Sequence, residues 1–266
     1  EPIVLQCINT SVFTKPNNIM LNLKFLLDHC LKKLNLAEFF TNRKRWVMPE
    51  IVYTLGDNQM LYKFKSTHWR AFKYISSTVS FSSISDPKLA YESGFALSYF
   101  HSLVKDINPN LIHKPLEDFH CIGKYLSRYD LLISNFDNLK YPIKIRSRID
   151  TLVKTISSQR RFLSHCSKKT FQNQLITQVI HGDPKISNFL FDKDSNLAIS
   201  LIDLDTVSIG FLQYDIADCL RSICNKEGEE PECISTVSFD LELCIQLLKG
   251  YDFASSHISI SQIKLI

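Results

Sequence analysis

The residues best suited to chemistry gather in one run of 40, Val179 to Asp218, VIHGDPKISNFLFDKDSNLAISLIDLDTVSIGFLQYDIAD. An apolar entry, Val179-Ile180, leads into His181-Gly182-Asp183, and Asn188 follows Asp183 by five residues. Two strand-like apolar runs, Phe189 to Phe191 and Leu197 to Ile202, are separated by the turn residues Asp192 to Asn196, the pattern of a β-hairpin. The second run delivers Asp203 and, two residues on and expected on the same face, Asp205. Phosphoryl transfer needs such parts: a carboxylate to orient and deprotonate an acceptor hydroxyl, and oxygen ligands to hold Mg²⁺ on the phosphates. Asp183 fits the base, Asn188 and Asp203 fit the metal ligands, and Lys185 has the reach to meet the transferred phosphate. For Asp205 two readings stand: an acid for substrate hydroxyls or a second metal, or a hydrogen-bond acceptor at a hairpin end. The plain alternative for the run is a surface hairpin with scattered acids, since Asp and Asn are ordinary turn residues. A lone HGD would not separate the two. The whole pattern, H-G-D-x-K-x-x-N, hairpin, I-D-L-D-T and G-x-x-x-Y-D-x-A-D, favours chemistry.

The elements that must position this run are partly legible. Glu1 to Asn9 is strand-like. Pro16-Asn17-Asn18 starts a helix through Lys33, with Ile19, Leu23, Leu26, Leu27, Cys30, Leu31 and Leu34 as its apolar stripe. Arg45 to Phe64 reads as two strands, around Ile51-Val52-Tyr53 and Met60-Leu61-Tyr62, turned by Gly56-Asp57-Asn58. Trp69 to Ile75 follows, and Ser76 to Ser85 is Ser-rich, without period, and suits a connection. Helices are expected over Lys88 to Val104, His120 to Phe136, Ile143 to Phe162, from Asp215 to Ser222 and over Phe239 to Leu248, with loops at Pro109 to Pro115 and Lys226 to Glu232. His101, His113, His120 and His165 show no ligand spacing and read as satisfied or exposed histidines. Asp218 and Arg221, at i and i+3, suit an ion pair.

Composition bounds the function. The chain of 266 residues is 45% hydrophobic, enough for one large or two small domains. A net charge of +4 with no polybasic run does not imply nucleic acid. There is no signal peptide or long apolar span, so no membrane is expected. The eight cysteines have no C-x-x-C or Cys/His metal spacing and read mostly as small core residues of a reducing, cytoplasmic protein. The seven glycines are too scattered for a phosphate-cradling loop, which excludes a P-loop kinase.

The run from Val179 to Asp218 resembles the catalytic and metal-binding segment of the aminoglycoside phosphotransferase and choline kinase-like superfamily. The double acid of I-D-L-D-T, with Gly210 and Tyr214-Asp215 behind it, is most similar to the N-acetylhexosamine kinase branch. The resemblance implies an α+β, protein-kinase-like two-lobed fold: an incomplete small lobe over 1–75 and a mainly helical large lobe over 76–266. It implies ATP and Mg²⁺ as cofactors and transfer of the γ-phosphate to a small-molecule hydroxyl, that of an N-acetylated hexosamine in this branch. It puts Gln6 where kinase-like folds carry a strand lysine, and Phe72 and Tyr74 in the linker that meets the adenine. His181 and Asp215 become structural support, Asp215 accepting from catalytic-loop backbone. Departures are plain. The helix that should pair the lysine carries Asn22 and Asp28 and no Glu. The first two strands with their phosphate loop, and the last helices, are expected to be missing, which predicts weak or no activity for this chain.

Two other classes remain. A protein kinase is disfavoured by Gly182 where an Arg usually precedes the Asp, by D-L-D in place of D-F-G and by the lack of an A-P-E segment. A catalytically impaired, kinase-like binding module is favoured by Gln6 and the absent Glu, and disfavoured by intact Asp183, Asn188 and Asp203. Aminoglycoside- or choline-type acceptors are the alternative substrates.

Overall fold

The computed structural model describes residues 2–35, 46–136, 142–254 and 259–266. Glu1 and Arg45, the first residues of two expected segments, lie outside the described residues. By its internal contacts the chain forms two compact units, 1–116 with 177–266, and 117–176. The expected lobe boundary near Ile75 falls inside the first unit.

The first unit opens with a mixed layer. β1 (Ile3–Ile8) runs antiparallel to β4 (Thr67–Lys73), with Gln6 opposite Arg70. β2 (Ile51–Val52) and β3 (Tyr62–Phe64) were expected to turn back on each other. Instead each pairs with β4, and since β1 takes one edge of β4, they lie end to end along the other. The turn between them is closed by the Thr54 N–H donating to the Gln59 carbonyl at 2.9 Å. α1 (Pro16–Leu34) starts on Pro16, whose fixed φ suits a first helical position, and ends on Lys32 and Lys33, which suit the negative end of the helix dipole. Ile19, Leu23, Leu26, Leu27 and Cys30 of its expected stripe are buried, joined by Met20, whereas Leu31 is exposed and Leu34 only half-buried as the helix nears its end.

α2 (Pro87–Val104) begins on Asp86, whose carboxylate accepts from the Lys88 N–H, and is buried along most of its length. α7 (Leu241–Ala254) crosses it at two glycines. A Cβ on Gly94 would stand 1.9 Å from the Leu247 carbonyl oxygen, and one on Gly250 would stand 1.9 Å from that of Tyr91. α7 thus runs six residues past the expected end at Leu248, because Gly250 serves helix contact rather than termination. α6 (Leu212–Ile223) starts three residues before Asp215.

Two small sheets carry the candidate site. β6 (Thr177–Ile180) pairs with β9 (Ser208–Phe211), and β7 (Phe189–Asp192) forms the expected hairpin with β8 (Ala198–Leu201). The Asp192 carboxylate accepts from the N–H groups of Asp194 and Ser195, which closes the hairpin turn. The Ser-rich connection is not featureless: its β5 (Thr78–Val79) extends the hairpin sheet against β7. Phe100 of α2, Ile180 of β6, Phe189 and Phe191 of β7, Leu201 of β8, and Ile186 are fully buried.

The second unit is helical: α3 (Ile122–Ser134), α4 (Ile143–Cys166) and α5 (Lys169–Gln172). Arg160 on α4 grips Asp130 on α3 through two hydrogen bonds of 2.6 and 2.5 Å. α8 (Ile260–Ile263) is a single turn near the end of the chain.

Candidate active site

Asp183 stands on the loop that leaves β6. Gly182 makes that loop possible, with φ at +88° and the Thr206 carbonyl oxygen 2.7 Å from where a Cβ would sit. The loop is held from beneath by Asp215 near the start of α6. One Asp215 oxygen accepts the His181 N–H and the other the Gly182 N–H, both at 2.7 Å. His101 of α2 reaches the same carboxylate with Nε2 at 2.8 Å and the Tyr251 hydroxyl of α7 with Nδ1 at 2.7 Å. All three side chains of this chain of contacts are buried. His181 bonds the Ile202 carbonyl with Nε2 at 2.9 Å and accepts the Asp183 N–H with Nδ1 at 3.3 Å. A carbonyl only accepts and an amide N–H only donates, so these partners fix the tautomer: the hydrogen is on Nε2.

Burial opposes the charge of Asp215, but the hydrogen bond and charge of His101 and the Gly182 N–H outweigh it and hold the carboxyl below its usual range. Such a group adds stability above its unfolded pKa, about 3.9, and loses that contribution as pH falls through the lower folded value. Wild type should therefore be more stable than Asp215→Asn at about pH 7, with the gap narrowing by about pH 3. Urea unfolding at the two values checks this, and an equal gap at both would show that Asp215 is not ionised in the fold.

Above this support the loop presents its chemistry. Lys185 Nζ lies 2.9 Å from Asp183, and both side chains are about one-third exposed. Burial alone would lower the Lys185 pKa; Asp183, Asp203 and Glu229 outweigh it and hold the ammonium above its ordinary value. Asn188 gives its Nδ2 hydrogen to the Asp183 carbonyl at 2.8 Å, and its own carbonyl receives the Ile202 N–H at 2.9 Å, tying loop to hairpin. The amide oxygen of Asn188 is thereby the atom left for a ligand.

Asp203 and Asp205 depart from the expected arrangement. β8 ends at Leu201, Asp203 takes a left-handed conformation (φ 61°, ψ 56°), and Leu204–Thr206 form a 3₁₀ turn. A left-handed residue breaks the two-residue alternation of a strand, so the two acids do not share a strand face. Asp203 keeps an exposed side chain, yet the protein packed around it displaces water, and this and then the charge of Asp205 push its carboxyl above the usual pKa. Asp205 is bound bidentately by Arg70 of β4, at 2.5 and 2.7 Å. Its oxygens thus face a protein cation. Arg70 Nε donates to Gln6 at 3.1 Å, and the guanidinium lies over the Phe72 ring, 5.0 Å from its centre.

A cavity of about 380 Å³ joins these groups. Val4, Leu23, Leu190 and Ile202 give it apolar walls, and Lys73 to Ile75 run along it. Gln6, Arg70, Asn188, Asp203 and Asp205 give it polar groups. Of the residues singled out from sequence, Gln6, Phe72, Tyr74, Asn188, Asp203 and Asp205 line this one cavity. Asp183 and Lys185 stand on the loop beside it, and His181 and Asp215 form the support of that loop. Arg70, His101 and Tyr251 were missed. Arg70 had a weak signal: a charged residue two positions before Phe72, and so on the same face of an expected strand. His101 had none, since a histidine in an apolar helix is usually just a satisfied one.

The donor chemistry fits a hard divalent cation. Asn188 and Asp203 offer oxygen, and the Asp203 carboxyl, open to solvent on the cavity and crowded by Asp205, is the kind of group a cation would relieve. Among the described residues no set of three or more His, Cys, Asp or Glu is arranged to hold a metal, so its other ligands would have to come from nucleotide and water. No described helix is long and apolar enough to cross a membrane.

Residues 144–233, a third of the chain, match the family model APH, the phosphotransferase enzyme family. Solved structures agree in fold. The chain aligns to an aminoglycoside phosphotransferase from Alicyclobacillus acidocaldarius over 95% of its length and 68% of that protein's, with a TM-score of 0.61 at 12% identity. A microcompartment-associated aminopropanol kinase aligns over 98% and 71%, with a TM-score of 0.59 at 14% identity. Spectinomycin phosphotransferase in its AMP-bound complex aligns over 99% and 72%, with a TM-score of 0.55 at 13% identity. The fold is therefore the protein-kinase-like α+β fold of these phosphotransferases.

Proposed function

We propose that this chain is an ATP-dependent phosphotransferase that moves the γ-phosphate to a hydroxyl of a small molecule, with an N-acetylated hexosamine as acceptor. The observation that carries the reading is the junction of Asp183–Lys185 with a cavity holding Asn188, Asp203 and the Lys73–Ile75 segment. Apolar walls and the backbone of that segment suit an adenine ring, with Phe72 and Tyr74 beside it. Asn188 and Asp203 are the residues to hold Mg²⁺, which when bound neutralises phosphate oxygens and holds them in line.

Asp183 orients the acceptor hydroxyl and takes its proton as the new oxygen–phosphorus bond forms and the bond from the γ-phosphorus to the bridging oxygen breaks, releasing ADP. Lys185 steadies the Asp183 carboxylate and sets a positive charge beside the transferring group. His181, Asp215 and His101 fix the loop so that Asp183 needs no reorganisation. The sugar acceptor is supported by the Ile202–Thr206 run with Gly210 and Tyr214-Asp215. A reducing, cytoplasmic setting fits eight cysteines that are all free thiols.

A second acceptor class has its own support. Glu227, Glu229 and Glu230 line a further hollow of about 560 Å³ that Lys185 also lines; Arg221 already pairs Glu229 at 3.1 Å, and the carboxylates of Glu227 and Glu230 suit an amine-bearing alcohol. The similar structures include enzymes named for aminoglycosides and aminopropanol. The deciding test is ATP consumption with Mg²⁺ over N-acetylhexosamines, hexoses, aminoglycosides, amino alcohols and choline. Turnover of a sugar is expected. Turnover of amine acceptors alone would move the chain to the second class. Mg·ATP binding with no turnover of any acceptor would mark a binding module.

A further inference from the structure

We infer that Arg70 is the cation that meets the nucleotide's phosphates in this chain, and that Asp205 and Gln6 hold it in place to do so. The inference rests on the reading of the 380 Å³ cavity as the nucleotide site.

The expected position for such a charge, Gln6 on β1, carries none. The strand register places Gln6 directly opposite Arg70 on β4, and the two side chains meet at 3.1 Å. The charge absent from one strand is thus supplied by the residue paired with it on the next. Arg70 lines the cavity along with Asn188 and Asp203, the candidate metal ligands.

Stability does not account for a guanidinium in this place. Its side chain is only 4% exposed and that of Asp205 12%. A buried ion pair gives little net stability over an apolar pair of the same size, because two desolvation costs offset the attraction. The geometry instead resembles a charge held ready. Asp205 takes one hydrogen from each terminal nitrogen, Gln6 takes the Nε hydrogen, and Nη1 also touches the Met20 sulfur at 3.8 Å. A guanidinium has five N–H donors, so Nη2 keeps a hydrogen beyond those that Asp205 and Gln6 accept. The planar fork, stacked on Phe72, has no freedom to lose on meeting a phosphate. Asp205 adds a second consequence. It lies two residues after Asp203, so the same ion pair ties the sheet to the turn that carries the candidate metal ligand. Gln6 and Asp205 are positioning residues in this scheme, and Arg70 is the group that touches the ligand.

The test is binding of ATP, ADP and adenosine, each measured by titration calorimetry with Mg²⁺. Arg70→Met alone would strand Asp205 in a buried site, so the informative variants are Arg70→Lys and the double change Arg70→Met with Asp205→Leu. Thermal melting confirms that each is folded. Wild type is expected to prefer ATP to adenosine. The double variant should lose roughly 10-fold or more of ATP affinity, the size of a charge-assisted hydrogen bond, and keep its adenosine affinity. Arg70→Lys should fall between, having the charge without the fork. A folded double variant with undiminished preference for ATP overturns the role of Arg70 and leaves the nucleotide site standing. A wild-type chain that binds neither ATP nor adenosine overturns the nucleotide reading, and this inference with it.

Discussion

Asp183→Asn is expected to lower turnover by about 10²- to 10⁴-fold while leaving Mg·ATP affinity nearly unchanged. Asparagine keeps the shape of the side chain and loses the acceptor for the hydroxyl proton, which matters only as the new bond forms. The loop itself should not move. Its position is set by backbone groups, the His181 and Gly182 N–H on Asp215 and the Asp183 carbonyl on Asn188, none of which the substitution touches. Asp203→Ala is the contrast. Removing a candidate metal ligand from the cavity should weaken Mg·ATP binding itself, with little change in adenosine binding. Separate measurement of kcat and nucleotide Kd for both variants decides the matter. Equal losses of nucleotide affinity would erase the division between base and metal ligand.

Gly250→Ala is expected to destabilise the fold by about 3 kcal/mol and to depress activity as well. In an isolated helix the change would help, by up to about 1 kcal/mol. Here the added methyl would meet the Tyr91 carbonyl oxygen at 1.9 Å, and that oxygen belongs to the backbone of α2, which cannot rotate away. Gly94 makes the reciprocal contact with Leu247, so α2 and α7 must separate along their crossing. Tyr251, the next residue, would then be drawn from His101, and His101 is a support of Asp215. Thermal and urea unfolding give the stability, and a melting point equal to wild type would show that the crossing has slack.

Much of the candidate site's segment was legible as structure because its parts are local. Asp183, Asn188 and the hairpin lie within a few turns of chain, and Asp-rich turn residues between apolar runs specify a hairpin by short-range chemistry. The α1 stripe was legible for the same reason, its periodicity being a property of the helix alone. What the chain order concealed was pairing across distance. Nothing near Arg70 announces Asp205, which is 135 residues away. Nothing near β2 and β3 states that both prefer β4 to each other. The same-face expectation for Asp203 and Asp205 failed on one dihedral: a left-handed residue after β8 has no signature in the letters I-D-L-D-T, since Asp tolerates that conformation without requiring it.

The support beneath Asp183 has a consequence for how the protein is made. His101 contacts Asp215 across 114 residues and Tyr251 across 150. Closing such long loops costs little more free energy than closing shorter ones, because the penalty grows only with the logarithm of length. It does cost time, since contacts far apart in sequence delay the crossing of the folding barrier. On the ribosome the delay has an order. The hairpin with Asn188 can form as soon as it emerges, and α2 has by then long been free. The Tyr251 partner of His101 arrives more than 30 residues after Asp215. For that interval His101 lacks its hydroxyl partner, so α7, made after the loop, completes the support beneath the candidate site.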